Sequence, residues 1–502
     1  MKHPVQRAAL LAILLFSLLA LAGDGPGFLL AQGDAHFAAG EYSRALVYYQ
    51  QAANHDPADP SIDLRLGQLH LVKGRFVQAE AFLTRAADRG ASAASRSPLC
   101  ALLPLPACTS NQGKVYLVLG DVYSRTARPA LAAAAYRLAL DLGAEGATYR
   151  LALAWIAADR RDLAQTCLAG LVAQGHQGAS LRLGLLLALD DPPSAAYVLD
   201  VAARGPDPAL AAAARGVVDD LRPLTLHPPT TGPAGTAEST SGAASSALLV
   251  GRAALRQDLP GVARVAFAEA VRRQPDDAQA KGYLGLALYL LKEYDPALGA
   301  LGEAQRLDPT DARPHHIRGL IYRLQGLPEQ ALTELEAALA ADPGNPALLS
   351  DLGETYAAQR NYPQAHEDLT AAAYADAQSP VPWLRLARFH LDYLYQVEDG
   401  LAAAQQAVRL APTSGDALDV LGWALYLNQQ PSEALAALRR AVEAAPASAG
   451  AQYHLAAVAA NLGDTEMARR AYRRAMDLDT SGAYEARAQR ALAQLDPPRS
   501  SR

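Results

Sequence analysis

A glycine recurs at one constant spacing through much of the second half of this 502-residue chain, at Gly251, Gly285, Gly319 and Gly353. Alanines that follow these glycines keep the same step, and they are Ala263, Ala297, Ala331 and Ala365. One extra residue then interrupts the register, which resumes at Gly422, Ala434 and Pro446. The common step of about 34 residues is the repeat period of the chain, and a fixed period of this length indicates stacked structural repeats. The chain is therefore predicted to be an array of small units rather than one globular core.

Each repeat reads as two helices with a short break between them. In one unit the helical stretches are residues 278–291 and 295–307. The apolar residues that form a stripe along these helices are Leu284, Leu288, Leu298 and Leu301. A small residue in each helix allows the two helices to approach closely, and Pro309 cannot continue the second helix because it lacks an N–H donor. Hydrophobic residues make up 51% of the chain and are dominated by Ala and Leu, which favours helix over strand.

The residues at these positions resemble the tetratricopeptide repeat family. One unit matches the family pattern with Leu284, Gly285, Ala297, Leu301, Ala304 and Pro309. Another matches it with Leu352, Gly353, Tyr356, Ala365, Leu369 and Ala372. The resemblance implies an all-α fold, a right-handed superhelical solenoid of helix–turn–helix hairpins. We expect two such segments joined by a linker.

Changes in composition give the expected domain boundaries. Residues 23–90 and the more degenerate residues 113–220 hold about five units, starting near Pro26, Pro60, Gly113, Ala147 and Gln177. Residues 91–112 are a Ser- and Pro-rich insert, and residues 221–243 read as a flexible linker because they are rich in Pro, Gly, Ser and Thr. Residues 244–482 hold seven units, starting near Ala244, Ala278, Ala312, Pro346, Pro380, Gly415 and Ala449. Residues 483–502 are expected to form a capping helix, at 484–495, and a tail.

The N-terminal segment, residues 1–22, reads as a targeting signal. A basic start at Lys2 and Arg7 precedes the uncharged, Leu-rich run 8–22, and Ala20 and Ala22 have the spacing of a cleavage site. The run is shorter than the roughly 20 residues that a spanning helix needs. We therefore favour a cleaved signal peptide, with a short membrane anchor at residues 8–22 as the alternative. Either reading predicts an exported protein of the periplasm or cell surface.

Three cysteines leave the redox chemistry open. Cys100 and Cys108 lie within the insert, where an exported protein could join them in a disulfide. The equally weighted alternative is that these two and Cys167 are free thiols. Since no pair has the C-x-x-C spacing, the sequence signals neither a zinc site nor a redox motif.

No catalytic motif is found in the chain. His366 and Glu367 lack the second histidine of a zinc-protease motif, and neither a phosphate-binding loop nor a serine nucleophile elbow is present. The adjacent His315 and His316 point about 100° apart on a helix, so they are interpreted as packing or surface residues. The net charge of −6 gives no basic face for nucleic acid. We expect no enzyme activity, no cofactor, no metal and no nucleic-acid partner.

The family resemblance implies where partners bind, because the first helix of each hairpin lines the concave face in that family. Carried over by position, the predicted groove residues are Arg252, Arg256, Tyr289, His316, Arg323, Arg388, Trp423, Tyr426 and Tyr453. The middle of this surface is expected to be basic and its C-terminal end acidic and aromatic, with Asp416 and Asp419. Such a groove would hold extended or helical acidic segments of other proteins.

Two functions from different classes remain open at this point. The first is a scaffold in the cell envelope that supports assembly of a secretion, pilus or polysaccharide-export complex. The alternative is direct binding of a cell-wall glycan or exopolysaccharide by the tyrosines, which number 21 against 7 phenylalanines. Several tyrosines, such as Tyr42 and Tyr294, fall on family packing positions, which weakens the alternative.

Overall fold

The structure is a computed structural model that describes residues 26–96, 106–226 and 237–495. Within these ranges every regular element is helical. Residues 1–22, Cys100 and the side chain of Cys108 lie outside the description, so the expected signal peptide and disulfide stay predictions. Cys167 is a half-buried free thiol. Burial raises the pKa of this thiol.

The helices follow one another along the whole described chain. The first eleven are α1 Pro26–Ala38, α2 Tyr42–His55, α3 Pro60–Val72, α4 Phe76–Arg96, α5 Pro106–Arg125, α6 Pro129–Asp141, α7 Ala147–Ala157, α8 Arg161–Ala173, α9 Gln177–Leu187, α10 Pro192–Ala203 and α11 Pro208–Leu226. The next nine are α12 Ala237–Arg256, α13 Pro260–Arg273, α14 Ala278–Leu290, α15 Tyr294–Leu307, α16 Ala312–Leu324, α17 Pro328–Ala341, α18 Pro346–Ala358, α19 Tyr362–Ala375 and α20 Pro380–Phe389. A π-helical segment, His390–Leu394, precedes α21 Val397–Leu410, α22 Gly415–Leu427, α23 Pro431–Ala444, α24 Ala449–Asn461, α25 Thr465–Leu478 and α26 Glu485–Leu495.

The helices belong to two compact units. The terminal unit contains α1–α4 and α21–α26, and the central unit contains α7–α20 with the π-helical segment. In both units consecutive helices pair as antiparallel hairpins, for example α14 with α15 and α24 with α25. The all-α hairpin solenoid predicted from the sequence is confirmed.

Local sequence explains where the helices of a hairpin begin. Most first helices start after a residue whose side chain accepts a hydrogen bond from the first turn, as Asp277 does from the N–H of Ala280 and Asn345 from that of Ala347. Second helices such as α15 and α17 lack a side-chain cap at the corresponding place. They follow a tight turn with one residue in the left-handed region, such as Lys292 at φ 64°. The break within each of these repeats is therefore a turn of defined geometry.

The recurring glycines are small because the second helix of each hairpin touches them. A Cβ atom added at Gly285 would lie 2.4 Å from Cγ of Leu301, far inside the contact distance. The same close approach joins Gly319 to Leu335, Gly353 to Leu369 and Gly422 to Leu438. The repeat period therefore records a repeated contact between helices, and a larger residue there would push the hairpin apart.

In the terminal unit the first two hairpins pack against the last hairpin and α26. The N–H of Ser43 donates to Oδ1 of Asp477 at 2.8 Å, and Arg75 forms an ion pair with Glu485 at 2.6 Å. The buried Lys73 ammonium donates to the carbonyl of Met476. Burial lowers the pKa of Lys73 and raises the pKa of Asp477. Sequence periodicity gave no sign of this contact.

In the central unit the helices on both sides of the predicted linker pack together. Residues 227–236 lie outside the described ranges, but α11 and α12 extend the helical structure to their edges. Arg256 of α12 pairs with Asp220 of α11 at 2.7 Å, and Arg264 of α13 donates to the carbonyl of Ile156 at 2.7 Å. One apolar cluster runs from α7 to α14. The independent movement of two segments about this linker stays a prediction that this packing does not support.

The extra residue in the repeat register lies in the first helix or turn of one repeat. The first helix α20 begins at Pro380, one repeat period after the start of α18 at Pro346. The second helix α21 begins at Val397, one residue later than a full period after the start of α19 at Tyr362. The π-helical segment His390–Leu394 lies in this interval, and a single added residue is what converts an α-helical turn into a π-bulge. The insertion is therefore absorbed as a π-bulge at the end of the first helix.

Candidate functional site

Asp351 in α18 is the centre of an ion-pair network in the central unit. Its carboxylate accepts a hydrogen bond from Nε2 of His316 at 2.7 Å and from Nη1 of Arg385 at 2.8 Å. Nη1 of Arg323 lies 3.3 Å from Oδ1 of the same carboxylate. These partners come from α16 and α20, the first helices of the preceding and following hairpins, which flank α18. One buried carboxylate thus joins three consecutive repeats.

Glu354, one helical turn after Asp351, completes the network. Arg323 contacts Glu354 at 3.0 Å, and Nε of Arg385 lies 3.4 Å from its other oxygen. Two guanidinium groups are therefore matched by two carboxylates, with His316 as a further donor to Asp351. The expected basic middle of the groove is corrected here, because Arg323 and His316 are balanced by acids that the sequence reading did not select.

The electrostatics of Asp351 follow from this geometry. Its side chain is only 6% exposed, and burial by itself would raise the pKa of the carboxyl. The hydrogen bonds from His316 and Arg385 and the positive charges of Arg323 and Arg385 outweigh burial and hold the pKa of Asp351 below its usual value of 3.8. Asp351 is therefore a stabilised carboxylate rather than a proton donor poised near neutral pH.

A pocket of about 310 Å³ opens beside this network. Its apolar floor is formed by Ala357, Leu369 and Phe389, all of them buried. The polar and aromatic side chains that line it are Arg323, Glu354, Arg385, Arg388, Asp392 and Tyr393. Phe389 is the last residue of α20, and Asp392 and Tyr393 belong to the π-helical segment, so the pocket wall is built partly from the bulge.

Arg388 differs from the other two arginines of this pocket. It is exposed, and within the described ranges no hydrogen bond or ion pair engages its guanidinium group. Asp392, an acidic residue of the same pocket lining, takes part in an interaction and is therefore not free. Arg388 is thus the cation that is free to meet a ligand.

An aromatic cluster joins α22 and α24, two neighbouring first helices of the terminal unit, with α25. Asp419 of α22 accepts a hydrogen bond from Nδ1 of His454 in α24 at 2.8 Å. The ring of Trp423 stacks on the His454 ring at 4.4 Å, with Tyr426 at 5.3 Å from Trp423. Tyr453 packs edge-on against Tyr472 at 5.6 Å. These side chains are at most half-exposed and hold one another in place.

The nine predicted groove residues thus fall into separate places. His316, Arg323 and Arg388 lie together in the central unit, and Trp423, Tyr426 and Tyr453 lie together in the terminal unit. Tyr289 is half-buried beside Tyr294, at 6.3 Å between ring centroids. Arg256 is occupied by Asp220, and the guanidinium of Arg252 lies 5.9 Å from the ring centroid of Tyr283.

The sequence reading missed Asp351, Glu354 and Arg385. A usable signal existed in the spacing, because His316 and Asp351 are 35 residues apart and Arg323 and Glu354 are 31 apart. Both separations are close to one repeat, so they place opposite charges on neighbouring first helices. Searching for charge pairs one period apart would have found the network.

The adjacent histidines are held by different acids. His315 contacts Glu334 at 2.8 Å, while His316 contacts Asp351. Over the residues that the structure describes, no cluster of three or more His, Cys, Asp or Glu side chains is arranged to bind a metal ion. Within the same ranges, no helix combines the length and the apolar character needed to cross a membrane.

Comparison with known families identifies the repeats. A family model described as tetratricopeptide repeat matches residues 36–100 and 322–388, and a second model with the same description matches residues 248–312, 391–449 and 420–483. Together these matches cover more than half of the chain. No curated protein matches the sequence.

Three solved structures illustrate the similarity of the fold. Yeast Tom70 is 15% identical, with 94% of this chain and 95% of that chain covered and a TM-score of 0.40. The APC/C hetero-tetramer Cut9–Hcn1 is 15% identical over 96% of this chain and 98% of that chain, with a TM-score of 0.43. Pseudomonas aeruginosa pilF is 19% identical over 43% of this chain and 97% of that chain, with a TM-score of 0.37. Nothing about function follows from likenesses with TM-scores this low.

Proposed function

Because this chain belongs to the tetratricopeptide repeat family, whose fold typically binds other proteins, we propose that it is a non-catalytic scaffold for protein–protein interaction. The observation that carries the proposal is the pocket beside Asp351. It combines an exposed, unengaged guanidinium on α20 with an apolar floor that α18, α19 and α20 form together. A pocket that combines apolar and charged groups in this way suits a side chain of a partner segment.

The partner that fits is an extended or helical segment carrying acidic side chains. Arg388 can donate two parallel hydrogen bonds to one carboxylate. The neighbouring arginines are already engaged by Asp351 and Glu354, so they shape the pocket rather than add free charge. Recognition therefore depends on a few placed contacts, and a strongly acidic partner gains little beyond the first carboxylate.

The cellular role that we propose is assembly of an envelope complex for secretion, pilus formation or polysaccharide export. Its support is the basic start and apolar run of residues 1–22, which is typical of an exported chain. Direct glycan binding is less well supported. The aromatic side chains of the terminal unit pack on one another, as Tyr453 does on Tyr472, instead of forming an open platform.

The test is crosslinked affinity capture from an envelope extract of the source cells, with the full chain as bait. We expect defined proteins with the native bait and their loss with an Arg388→Glu bait. A matched Arg306→Glu bait is the control, since Arg306 is an exposed arginine on α15, a second helix of the same unit. Equal capture of the same proteins by all three baits would show that the pocket does not take part in partner binding. Retention of glycan without any enriched protein would overturn the scaffold proposal.

A further inference from the structure

Polar groups from opposite ends of the chain hold the first and the last helices of the terminal unit together. In the turn between α3 and α4, the Lys73 ammonium donates to the carbonyl of Met476, which is 403 residues away in the sequence. Arg75, in the same turn, pairs with Glu485 of α26 at 2.6 Å across 410 residues. This turn is therefore bonded to both α25 and α26.

Two further bonds join the start of α2 to α25. The N–H of Ser43 donates to Oδ1 of Asp477 at 2.8 Å. Nη1 of Arg474 donates to the carbonyl of Gly40, in the turn before α2, at 3.0 Å. We call the four bonds made by Lys73, Arg75, Ser43 and Arg474 the terminal clasp. Each of them is a hydrogen bond or an ion pair, so the strength of the clasp depends on polar contacts.

The helices on the two sides of the terminal clasp have apolar clusters of their own. One cluster lies within α1–α4 and contains Tyr49 and Leu69. Another lies within α21–α26 and contains Leu438 and Leu455, and the two clusters share no residue. In the central unit, by comparison, one cluster continues through successive hairpins from α7 to α14. Breaking the clasp therefore leaves these two clusters intact, whereas separating hairpins of the central unit would split a shared core.

The closed clasp also keeps charged groups away from water. Lys73 is 6% exposed and Asp477 is 5% exposed. Burial lowers the pKa of Lys73 and raises the pKa of Asp477, because the ionised form of each group is less stable here than in water. Opening the clasp returns the hydration of both charges, which offsets part of the free energy of the lost bonds.

We infer that the terminal clasp is a conformational device that opens and closes as a unit while the helices on both sides stay folded. In the closed state the start of α2 and the turn between α3 and α4 lie against α25 and α26. In the open state these surfaces, with Lys73, Arg75, Asp477 and Glu485, are exposed to solvent. Opening thus changes the surface that the chain presents without unfolding a hairpin. The inference is independent of the scaffold proposal, since it concerns contacts within the chain.

Hydrogen exchange of the full chain, read by mass spectrometry with residue-level fragmentation, measures the opening. The amide of Ser43 reports the clasp because its acceptor is the Asp477 carboxylate. The amides of Tyr49 in α2 and Leu455 in α24 report the two apolar clusters. After correction for intrinsic rates, we expect the Ser43 amide to exchange at least about tenfold faster than the other two, since local opening requires less free energy than unfolding. Equal exchange of the three amides would overturn the inference, because the clasp would then open only when the chain unfolds.

Substitutions at the ion pair test whether the bonds of the clasp open together. Arg75→Gln is expected to speed exchange of the Ser43 amide about threefold, the effect of losing one partly exposed ion pair, although Arg75 lies in a different turn. Glu485→Gln, on the other side of the clasp, is expected to have a similar effect. The amides of Tyr49 and Leu455 should keep their rates in both variants, which shows that each side stays folded.

The matched control is Arg44→Gln. Arg44 pairs with Glu41 at 2.9 Å beside Ser43, so this change removes an ion pair at the start of α2 without touching the clasp. We expect it to leave the exchange of the Ser43 amide nearly unchanged. If the amide responds to Arg44→Gln but to neither Arg75→Gln nor Glu485→Gln, the first turn of α2 frays by itself and the inference is wrong. Absence of a response to all three substitutions contradicts it equally, because the ion pair would then not be coupled to the Ser43 bond.

Discussion

Two histidine–aspartate pairs in this chain occupy the same places in the repeat with their identities exchanged. In the central unit His316 of one hairpin meets Asp351 of the next at 2.7 Å. In the terminal unit Asp419 of one hairpin meets His454 of the next at 2.8 Å. Both pairs are 35 residues apart.

The small residue of each first helix gives a common reference. In both pairs the earlier member lies three residues before that small residue, and the later member lies two residues before it. The reference residues are Gly319, Gly353, Gly422 and Ala456. The backbone of the stacked hairpins therefore brings these two positions together whichever residue stands at each.

What differs is the surroundings of each pair. Asp351 lies among Arg323 and Arg385, so it balances several cations. Asp419 has His454 beside it, and the His454 ring is covered by Trp423. The repeat geometry brings the two positions of each pair into contact. The side chains around each pair then determine whether it belongs to an ionic network or to an aromatic cluster.

Exchanging the two residues within each pair tests that distinction most strongly. The double variant His316→Asp, Asp351→His removes the carboxylate that lies between Arg323 and Arg385 and puts an imidazole in its place. The free energy of unfolding of the central unit should therefore fall by about 3 kcal/mol or more. Asp419→His with His454→Asp preserves the ionic contact of the pair and mainly disturbs the stack on Trp423, so the terminal unit should lose about 1 kcal/mol. Native-state hydrogen exchange in α18 and α24 measures the two losses separately.

The single variants His316→Gln and His454→Gln serve as controls for loss of the histidine alone. Equal losses from the two exchanges would show that the surroundings do not matter and that the pair itself carries the energy.

The aromatic side of the comparison is sharpened at Trp423. Trp423→Leu should cost the terminal unit about 1–2 kcal/mol, because it removes the ring that stacks on His454 and contacts Tyr426. Combining it with His454→Gln in a double-mutant cycle should give a coupling energy of about 0.5–1.5 kcal/mol. A coupling energy near zero would show that the contact between the Trp423 and His454 rings does not contribute to stability.

The repeat period predicted the hairpins because it records local contacts. The approach of Leu301 to Gly285 within one hairpin recurs in unit after unit, so the repeated sequence pattern directly reflects a repeated packing contact. Contacts between hairpins are less regular. Asp351 meets His316, Arg323 and Arg385 only because three first helices lie side by side, and a search of one repeat at a time does not see them.

Other contacts had no periodic signal at all. Lys73 reaches the carbonyl of Met476 from 403 residues away, and nothing in either repeat marks the other as its neighbour. The extra residue at the π-bulge was visible as a break in register. Its consequence, a pocket with Arg388 at the rim, required the backbone geometry.

The smallest expected effect is the acid dependence of the ionic centre. The pKa of Asp351 in the folded chain lies below its usual value of 3.8, so unfolding takes up a proton between the two values. The stabilisation from the carboxylate is complete above the unfolded value and is lost as the pH falls through the folded value. We therefore expect the stability advantage of the native chain over Asp351→Asn to shrink as the pH is lowered from 5 toward 3, measured by urea unfolding.

Asp368 in the same unit provides a control of opposite sign. Burial and the nearby Glu367 and Glu336 raise the pKa of this carboxyl, so the folded chain binds the proton more tightly than the unfolded chain does. The penalty for charge at Asp368 is absent at low pH and grows as the pH rises through the raised value. Relative to Asp368→Asn, the native chain should therefore gain stability on acidification. The two stability differences, native chain against Asp351→Asn and native chain against Asp368→Asn, should therefore change in opposite directions as the pH falls. If both changed in the same direction, general acid unfolding would explain the result, and the low pKa of Asp351 would not.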